Sequence, residues 1–294
     1  MEFFSKSPFN MVPDGGVLRK CTYFFEDAQE EMWYLLYTPA KYAGLQHSEQ
    51  VPLLVALHGL HCNPTHIMNF DGLLSEADRR GYIVAAPMGY NSHAWYGCFK
   101  NVQKPTQDIP DGYRSEQDVL NVVNEVRSKH LIDPRRIYLT GHSMGGGGTI
   151  HLGAAYPMLW AALAPLSPAL VFNNPEEKCK ALQALPIFFV TGDSDPLIPI
   201  DGVRKWVGLL QSLGTTCKLL TLEGGDHLTP AYDAASIAQV FDFFDQHQQA
   251  VPAPRNVQPE PWPRCEGGSS AKAQSGLGGC LLSVVQKLCS RYTP

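Results

Sequence analysis

Short apolar runs alternate with helically spaced apolar stripes along most of this chain. Residues 53–57 form a continuous apolar run, the pattern of a strand buried on both faces. Over 65–80, Ile67, Phe70, Leu73, Leu74 and Ala77 recur at helical spacing, with Gly81 as the stop. Residues 82–86 read as a further strand, closed by Pro87. Ser115-Glu116-Gln117-Asp118 is a variant capping box opening a helix to residue 130, whose apolar face is Val119, Val122, Val123 and Val126. Strands follow at 137–139, 160–166, 186–190 and 217–222, and helices at 149–155, 201–213 and 230–247. Between them, 173–185 reads as a loop with a short helix. The alternation predicts an α/β fold with a mainly parallel central sheet and helices on both faces. Ahead of it, 21–25 and 32–37 flank an acidic turn and read as an antiparallel pair ended at Pro39.

The pattern stops near Gln248. Residues 251–264 are proline-rich and 267–279 small and polar, the composition of a linker or a disordered segment. Leu281, Leu282, Val284, Val285 and Leu288 then make an apolar stripe near Lys287 and Arg291. A short helix docking on the core is expected there. A peripheral membrane or partner helix, acylated at Cys280 or Cys289, is the alternative. The expected organisation is one folded domain over 1–250 and a partly disordered tail over 251–294. Between two predicted elements, residues 88–112 form a long loop rich in aromatic and polar side chains. Loops of that length inside a compact domain are functional or poorly ordered.

Composition narrows the function classes. With 44% hydrophobic and 17% charged residues, the 294-residue chain has material for a sizeable core. The net charge of −5 argues against general affinity for nucleic acid or anionic membrane. A small, neutral ligand is expected. No run approaches the roughly 18 apolar residues of a membrane span, and the first residues lack the apolar core of a signal peptide. The eight cysteines include no C-x-x-C pair, which argues against a zinc site. Free thiols and a cytoplasmic location are the expectation.

The candidate chemistry centres on Gly141-His142-Ser143-Met144-Gly145, a G-x-S-x-G pattern between a predicted strand and a predicted helix. Such a turn strains the backbone at the serine, lifts its hydroxyl clear of the sheet and aims the next N–H at a developing oxyanion. Ser143 is the candidate nucleophile and the Met144 N–H a candidate oxyanion donor. A serine hydroxyl needs an imidazole to take its proton, and the imidazole needs a carboxylate. Downstream of Ser143 stand only His151, His227 and His247. His151 lies inside a predicted helix and His247 at the end of another. His227 follows a strand in a glycine-containing loop and is the candidate base. Asp193 and Asp195 both follow the strand at 186–190; Asp195, further along the loop, is preferred as the acid. The second oxyanion donor is expected at His58-Gly59-Leu60-His61, at Leu60 before His61. His58 reads as a structural hydrogen-bonding residue. Trp95, Tyr96 and His142 are candidate substrate contacts, with packing under the long loop as the alternative for the first two.

Together these segments resemble the α/β-hydrolase superfamily, and within it the branch of feruloyl esterases, acetyl xylan esterases and polyhydroxybutyrate depolymerases. The likeness rests on Leu57-His58-Gly59, Ala86-Pro87-Met88-Gly89 followed by Trp95, and Asp118-Val119. It rests also on the run from Ile132 to Gly146, on Tyr156-Pro157, and on Gly192, Asp195 and Pro199 in the acid loop. It spans roughly residues 20–248. The pattern often has a histidine where this chain has Thr191. The resemblance implies the α/β-hydrolase fold with antiparallel N-terminal strands. It also implies Ser143 as nucleophile, Asp195 as acid, His227 as base, and Leu60 and Met144 as oxyanion donors. The expected activity is hydrolysis of a small, aryl or sugar ester through an acyl-enzyme, without cofactor or metal. A serine peptidase of the same fold, or a non-catalytic binding protein on it, is the alternative.

Overall fold

The computed structural model of the chain describes residues 2–3, 12–44, 49–98, 111–172 and 174–258. Its strands are β1 (Glu2–Phe3), β2 (Val17–Phe25), β3 (Glu30–Thr38), β4 (Val51–Leu57), β5 (Ile83–Pro87), β6 (Ile132–His142), β7 (Ala162–Leu166), β8 (Ile187–Gly192) and β9 (Cys217–Leu222). They form one sheet in the order β1-β2-β3-β5-β4-β6-β7-β8-β9. From β5 to β9 every pairing is parallel, while β1, β2, β3 and β5 pair antiparallel. The helices are α1 (Pro64–Met68), α2 (Leu73–Arg80), α3 (Asp111–Lys129), α4 (Met144–Ala155), α5 (Pro175–Ala181), α6 (Ile200–Ser212), α7 (Thr229–Tyr232) and α8 (Ala234–Asp245).

The central strands explain their own sequence. In β4, Leu53, Val55 and Leu57 pack with the apolar faces of α3, α4 and α6. Leu54 and Ala56 pack with α1, α2 and α8 on the other side. A strand buried on both faces has no polar alternation, hence the continuous run. Truncating Leu53 or Leu54 to alanine removes methyl groups from a closed core, at about 2–5 kcal/mol. Parallel order also places the ends of β4, β6, β7, β8 and β9 on one edge of the sheet, so the loops after them meet.

Three predicted elements differ from the observed ones. The single helix expected over 65–80 is two, α1 and α2, broken at Gly72, which adopts φ +84°. The break lets Asp71 donate its N–H to Ala231 O at 2.9 Å and brings Gly72 against Ala234 at the start of α8. The helix expected over 230–247 is likewise α7 and α8, divided at Asp233, whose side chain caps α8 through the Ala235 N–H. The helix expected to begin at Ser115 begins at Asp111. Ser115 and Asp118 are buried and bond the loop after β5 instead of the helix's own amides.

Residues 251–258, expected as the start of a linker, lie against α3. The Ala253 N–H donates to Pro134 O at 2.8 Å, and Asn124 Nδ2 donates to Val257 O at 2.9 Å. The apolar stripe at 281–288 and Cys265, Cys280 and Cys289 fall outside the described residues. Within them, Cys21, Cys98, Cys179 and Cys217 form no disulfide.

Candidate active site

Ser143 stands alone between the end of β6 and the start of α4, at φ 57° and ψ −114°. A side chain at positive φ is strained, and surrounding contacts must hold it there. The Ser143 N–H donates to Leu166 O at 2.9 Å, and its carbonyl accepts from the N–H groups of Gly147 and Ala169 at 3.0 and 2.9 Å. The flanking glycines make the turn possible. A Cβ on Gly141 would overlap the Gly145 carbonyl, and a Cβ on Gly145 would overlap the Leu57 carbonyl. Strand, helix and the neighbouring β4 therefore touch backbone to backbone.

Two loops away, His227 Nδ1–H donates to Asp195 Oδ2 at 2.8 Å. The other carboxylate oxygen accepts the Leu197 and Ile198 N–H groups at 2.8 and 2.9 Å. The carboxylate is thereby fixed in place and stays ready to hold an imidazole in one tautomer. Asp193, the other candidate acid, bonds elsewhere: its Oδ1 accepts the Gly224 N–H at 2.8 Å and ties the two loops together. Asp226 caps the turn into α7 through the Leu228 and Thr229 N–H groups. His227 Nε2 makes no hydrogen bond among the described residues.

The loop after β4 is held from inside. His58 is fully buried, and each of its ring nitrogens lies 2.8 Å from a carbonyl oxygen, Nδ1 from Gly59 and Nε2 from Met88. The Gly59 carbonyl also accepts the Cys62 N–H at 3.1 Å. A trans peptide points its carbonyl and its N–H in opposite directions, so anchoring Gly59 O turns the Leu60 N–H the other way. The His61 N–H is committed to Ser92 O at 2.7 Å. Neither the Leu60 nor the Met144 N–H donates to a protein acceptor among the described residues.

The remaining candidates lie deeper than expected. Tyr96 has no exposed surface; its hydroxyl donates to His58 O at 3.2 Å and its ring packs on Gly148. It is a packing residue behind the loop after β4, because the loop folds inward at Trp95 and Tyr96, both at positive φ. Trp95 is 7% exposed and belongs to the same core. His142 is also buried, with Nε2 2.8 Å from the His227 carbonyl oxygen. The sequence reading passed over Leu170, Val171, Phe172 and Leu197, partly buried apolar side chains packed against the core. The first three directly follow Ala169, which bonds the Ser143 carbonyl. Asp118 was read only as a helix-opening residue, yet its carboxylate accepts from Tyr23 Oη and the Gly89 and Tyr90 N–H groups.

Among the described residues no group of three or more His, Cys, Asp or Glu is placed to hold a metal ion. A groove of about 500 Å³ opens between β9 and α8, bordered by Lys218, Leu220, Gln239 and Phe243. It includes none of Ser143, Asp195 and His227.

The sequence pattern of the family described as "Esterase PHB depolymerase" matches residues 32–213. The bifunctional acetylxylan esterase/xylanase of Neocallimastix patriciarum is 31% identical over 166 residues, covering 56% of this chain and 22% of that protein. Feruloyl esterase B of Piromyces equi is 29% identical over 170 residues, covering 54% of this chain and 29% of that protein. The chain thus spans less than a third of the length of either relative. A solved thermostable esterase superposes with a TM-score of 0.63 at 20% identity, covering 79% of this chain and 63% of that one.

Proposed function

The chain belongs to the esterase PHB depolymerase family and has the α/β-hydrolase fold, and from that premise we propose that it is a serine carboxylic ester hydrolase. The observation that carries the proposal is the pairing of a strained Ser143 turn after β6 with the buried Asp195–His227 hydrogen bond between the loops after β8 and β9. In the proposed reaction Ser143 Oγ attacks the ester carbonyl while His227 Nε2 takes its proton. Asp195 holds the ring by Nδ1 and stabilises the imidazolium. The carbonyl oxygen, now an anion, accepts the Leu60 and Met144 N–H groups; one such donor contributes about 3–4 kcal/mol of transition-state stabilisation in comparable sites. His227 passes the proton to the departing alcohol, and an acyl-Ser143 ester remains. Water, deprotonated by His227, then attacks that ester, releases the acid and restores Ser143. None of these steps calls on a cofactor.

Leu170, Val171, Phe172 and Leu197, partly buried apolar side chains close in sequence to Ala169 and Asp195, support an apolar or aryl acyl group, with Lys178 Nζ over the Phe172 ring. We place the catalytic unit within residues up to 258, because 251–258 dock on α3. Cys21, Cys98, Cys179 and Cys217, which form no disulfide among the described residues, suit a reducing compartment. The test compares wild type and Ser143→Ala on nitrophenyl acetate and butyrate. A fall of about 10⁴-fold or more in kcat/KM with unchanged thermal unfolding is the expected result. Equal rates would remove the proposal. Hydrolysis of aminoacyl nitroanilides at a rate matching the esters would replace it with a peptidase.

A further inference from the structure

The residue before the nucleophile holds the loop that carries the base. His142 is 2% exposed, so it presents no surface to a substrate. Its Nε2 lies 2.8 Å from the His227 carbonyl oxygen. A carbonyl only accepts, so Nε2 carries the proton. Nδ1 is buried without a partner among the described residues, and is the bare nitrogen of a neutral ring. Burial also holds the His142 pKa well below its ordinary value. Phe70 meets the ring edge-on at 5.5 Å, and the His227 ring lies 4.8 Å away.

We propose that His142 is a positioning residue whose Nε2–H fixes the main chain of His227, and through it the aim of the His227 ring at Ser143. This rests on the serine mechanism proposed above. The need for such a tie is visible in the base loop. Glu223, Gly224, Gly225 and Asp226 lead into His227, and Gly224 sits at φ +66°, where backbone freedom is greatest. Asp193 and the Ser194 N–H hold the loop at Gly224 and Gly225, ahead of His227. Asp195 grips the His227 ring at Nδ1. The bond from His142 is made to the main chain of His227 itself, and limits the swing of the ring as that main chain shifts. His142 is rigid because it belongs to the end of β6, one residue from Ser143, so base and nucleophile are referenced to the same strand. Its neutrality matters as well. A cation 4.8 Å from His227 would oppose the imidazolium formed on proton transfer.

The test is kinetic, with active sites counted by fluorophosphonate titration so that inactive protein drops out of the rate. His142→Phe keeps a ring against Phe70 and removes the donor; His142→Gln keeps a donor. The expected result is kcat per titrated site about tenfold lower in His142→Phe, KM within about twofold, and most of the loss recovered in His142→Gln. Unchanged kcat in His142→Phe overturns the inference. So does a raised KM with unchanged kcat, which would make His142 a substrate contact. Should His142→Phe yield no folded protein, His142→Met is judged by the same criteria. Loss of activity in Ser143→Ala beside an unaffected His142→Phe refutes the positioning role alone. Full activity in Ser143→Ala refutes both.

Discussion

Two buried histidine–carboxylate pairs stand in this molecule, alike in their bond and unlike in everything around it. His227 Nδ1–H donates to Asp195 at 2.8 Å, and His151 Nε2–H donates to Glu116 at 2.7 Å. Both imidazoles are about nine-tenths buried and both carboxylates fully so. The difference lies at the far nitrogen. His227 Nε2 makes no hydrogen bond among the described residues, and the proposed reaction assigns it to Ser143. His151 Nδ1 faces Lys178 Nζ at 3.5 Å, and the second oxygen of Glu116 accepts from Tyr156 Oη. The first pair is bonded at one end, and its outer nitrogen makes no hydrogen bond among the described residues. The second is closed at both ends and ties α3, α4 and α5 together. A histidine–carboxylate pair is therefore no signature of catalysis by itself; what the outer nitrogen faces decides its use.

Substitution at the two histidines separates them most widely. His227→Ala is expected to lower kcat by about 10⁴–10⁶-fold with little change in unfolding temperature. His151→Ala is expected to leave kcat per folded molecule within about threefold. It removes one of the partners of the buried Glu116 and leaves Tyr156 Oη on the other oxygen, a loss of about 2–4 kcal/mol that shows as a fall of roughly 5–15 °C in unfolding temperature. Thermal unfolding and titrated kcat on the same preparations check both. A large kcat loss in His151→Ala at full titration would break the contrast.

The carboxylates sharpen the same point at smaller amplitude. Asp195→Asn retains the shape and the Leu197 and Ile198 contacts, but favours the wrong tautomer of His227. A loss of about 10³–10⁴-fold in kcat is expected. Asp193→Asn, which disturbs the tie to Gly224 and the bond from the Ser194 hydroxyl, should cost less than about tenfold. Reversed magnitudes would move the acid to Asp193.

Why one pair was legible in the sequence and the other was not follows from the same contrast. Ser143 needs glycines on both sides because backbones touch there, and glycine spacing is visible in one dimension. His227 and Asp195 each follow a predicted strand in a loop, and parallel topology brings such loops together. Leu60 and Met144 inherit their places from the same strand ends. His151 looked like an ordinary helical residue, since its partner is 35 positions upstream on another helix. The long loop misled for a related reason. Trp95 and Tyr96 read either as substrate contacts or as packing under the loop; both are buried and at positive φ, and no local pattern announces that. The breaks at Gly72 and Asp233 are set by contacts between α2 and α8, which helical periodicity does not record. The capping-box residues Ser115 and Asp118 had the right chemistry and the wrong partner.

Asp118 supplies the last and smallest test, because it is a buried carboxylate with no imidazole at all. Its partners are neutral: Tyr23 Oη at 2.5 Å and the N–H groups of Gly89 and Tyr90 at 2.6 and 3.2 Å. Burial outweighs these donors and pushes its pKa from 3.8 up to about 6. The sign of the consequence is the reverse of the usual carboxylate. Between about pH 4 and pH 6 the folded protein keeps a proton that the unfolded chain has released. Stability from this group is therefore present at low pH and is lost as pH rises through that window, by at most about 3 kcal/mol. Other carboxylates slope the opposite way, so the measurement is a difference. Asp118→Asn keeps the shape and an acceptor for the Gly89 N–H, and does not titrate. Wild-type minus Asp118→Asn stability, from denaturant unfolding at half-unit pH steps, should fall from pH 4 to pH 6 and level off above. A flat difference would mean that the three donors hold Asp118 ionised throughout. It would then resemble Asp195 in charge while still lacking the partner that makes Asp195 useful.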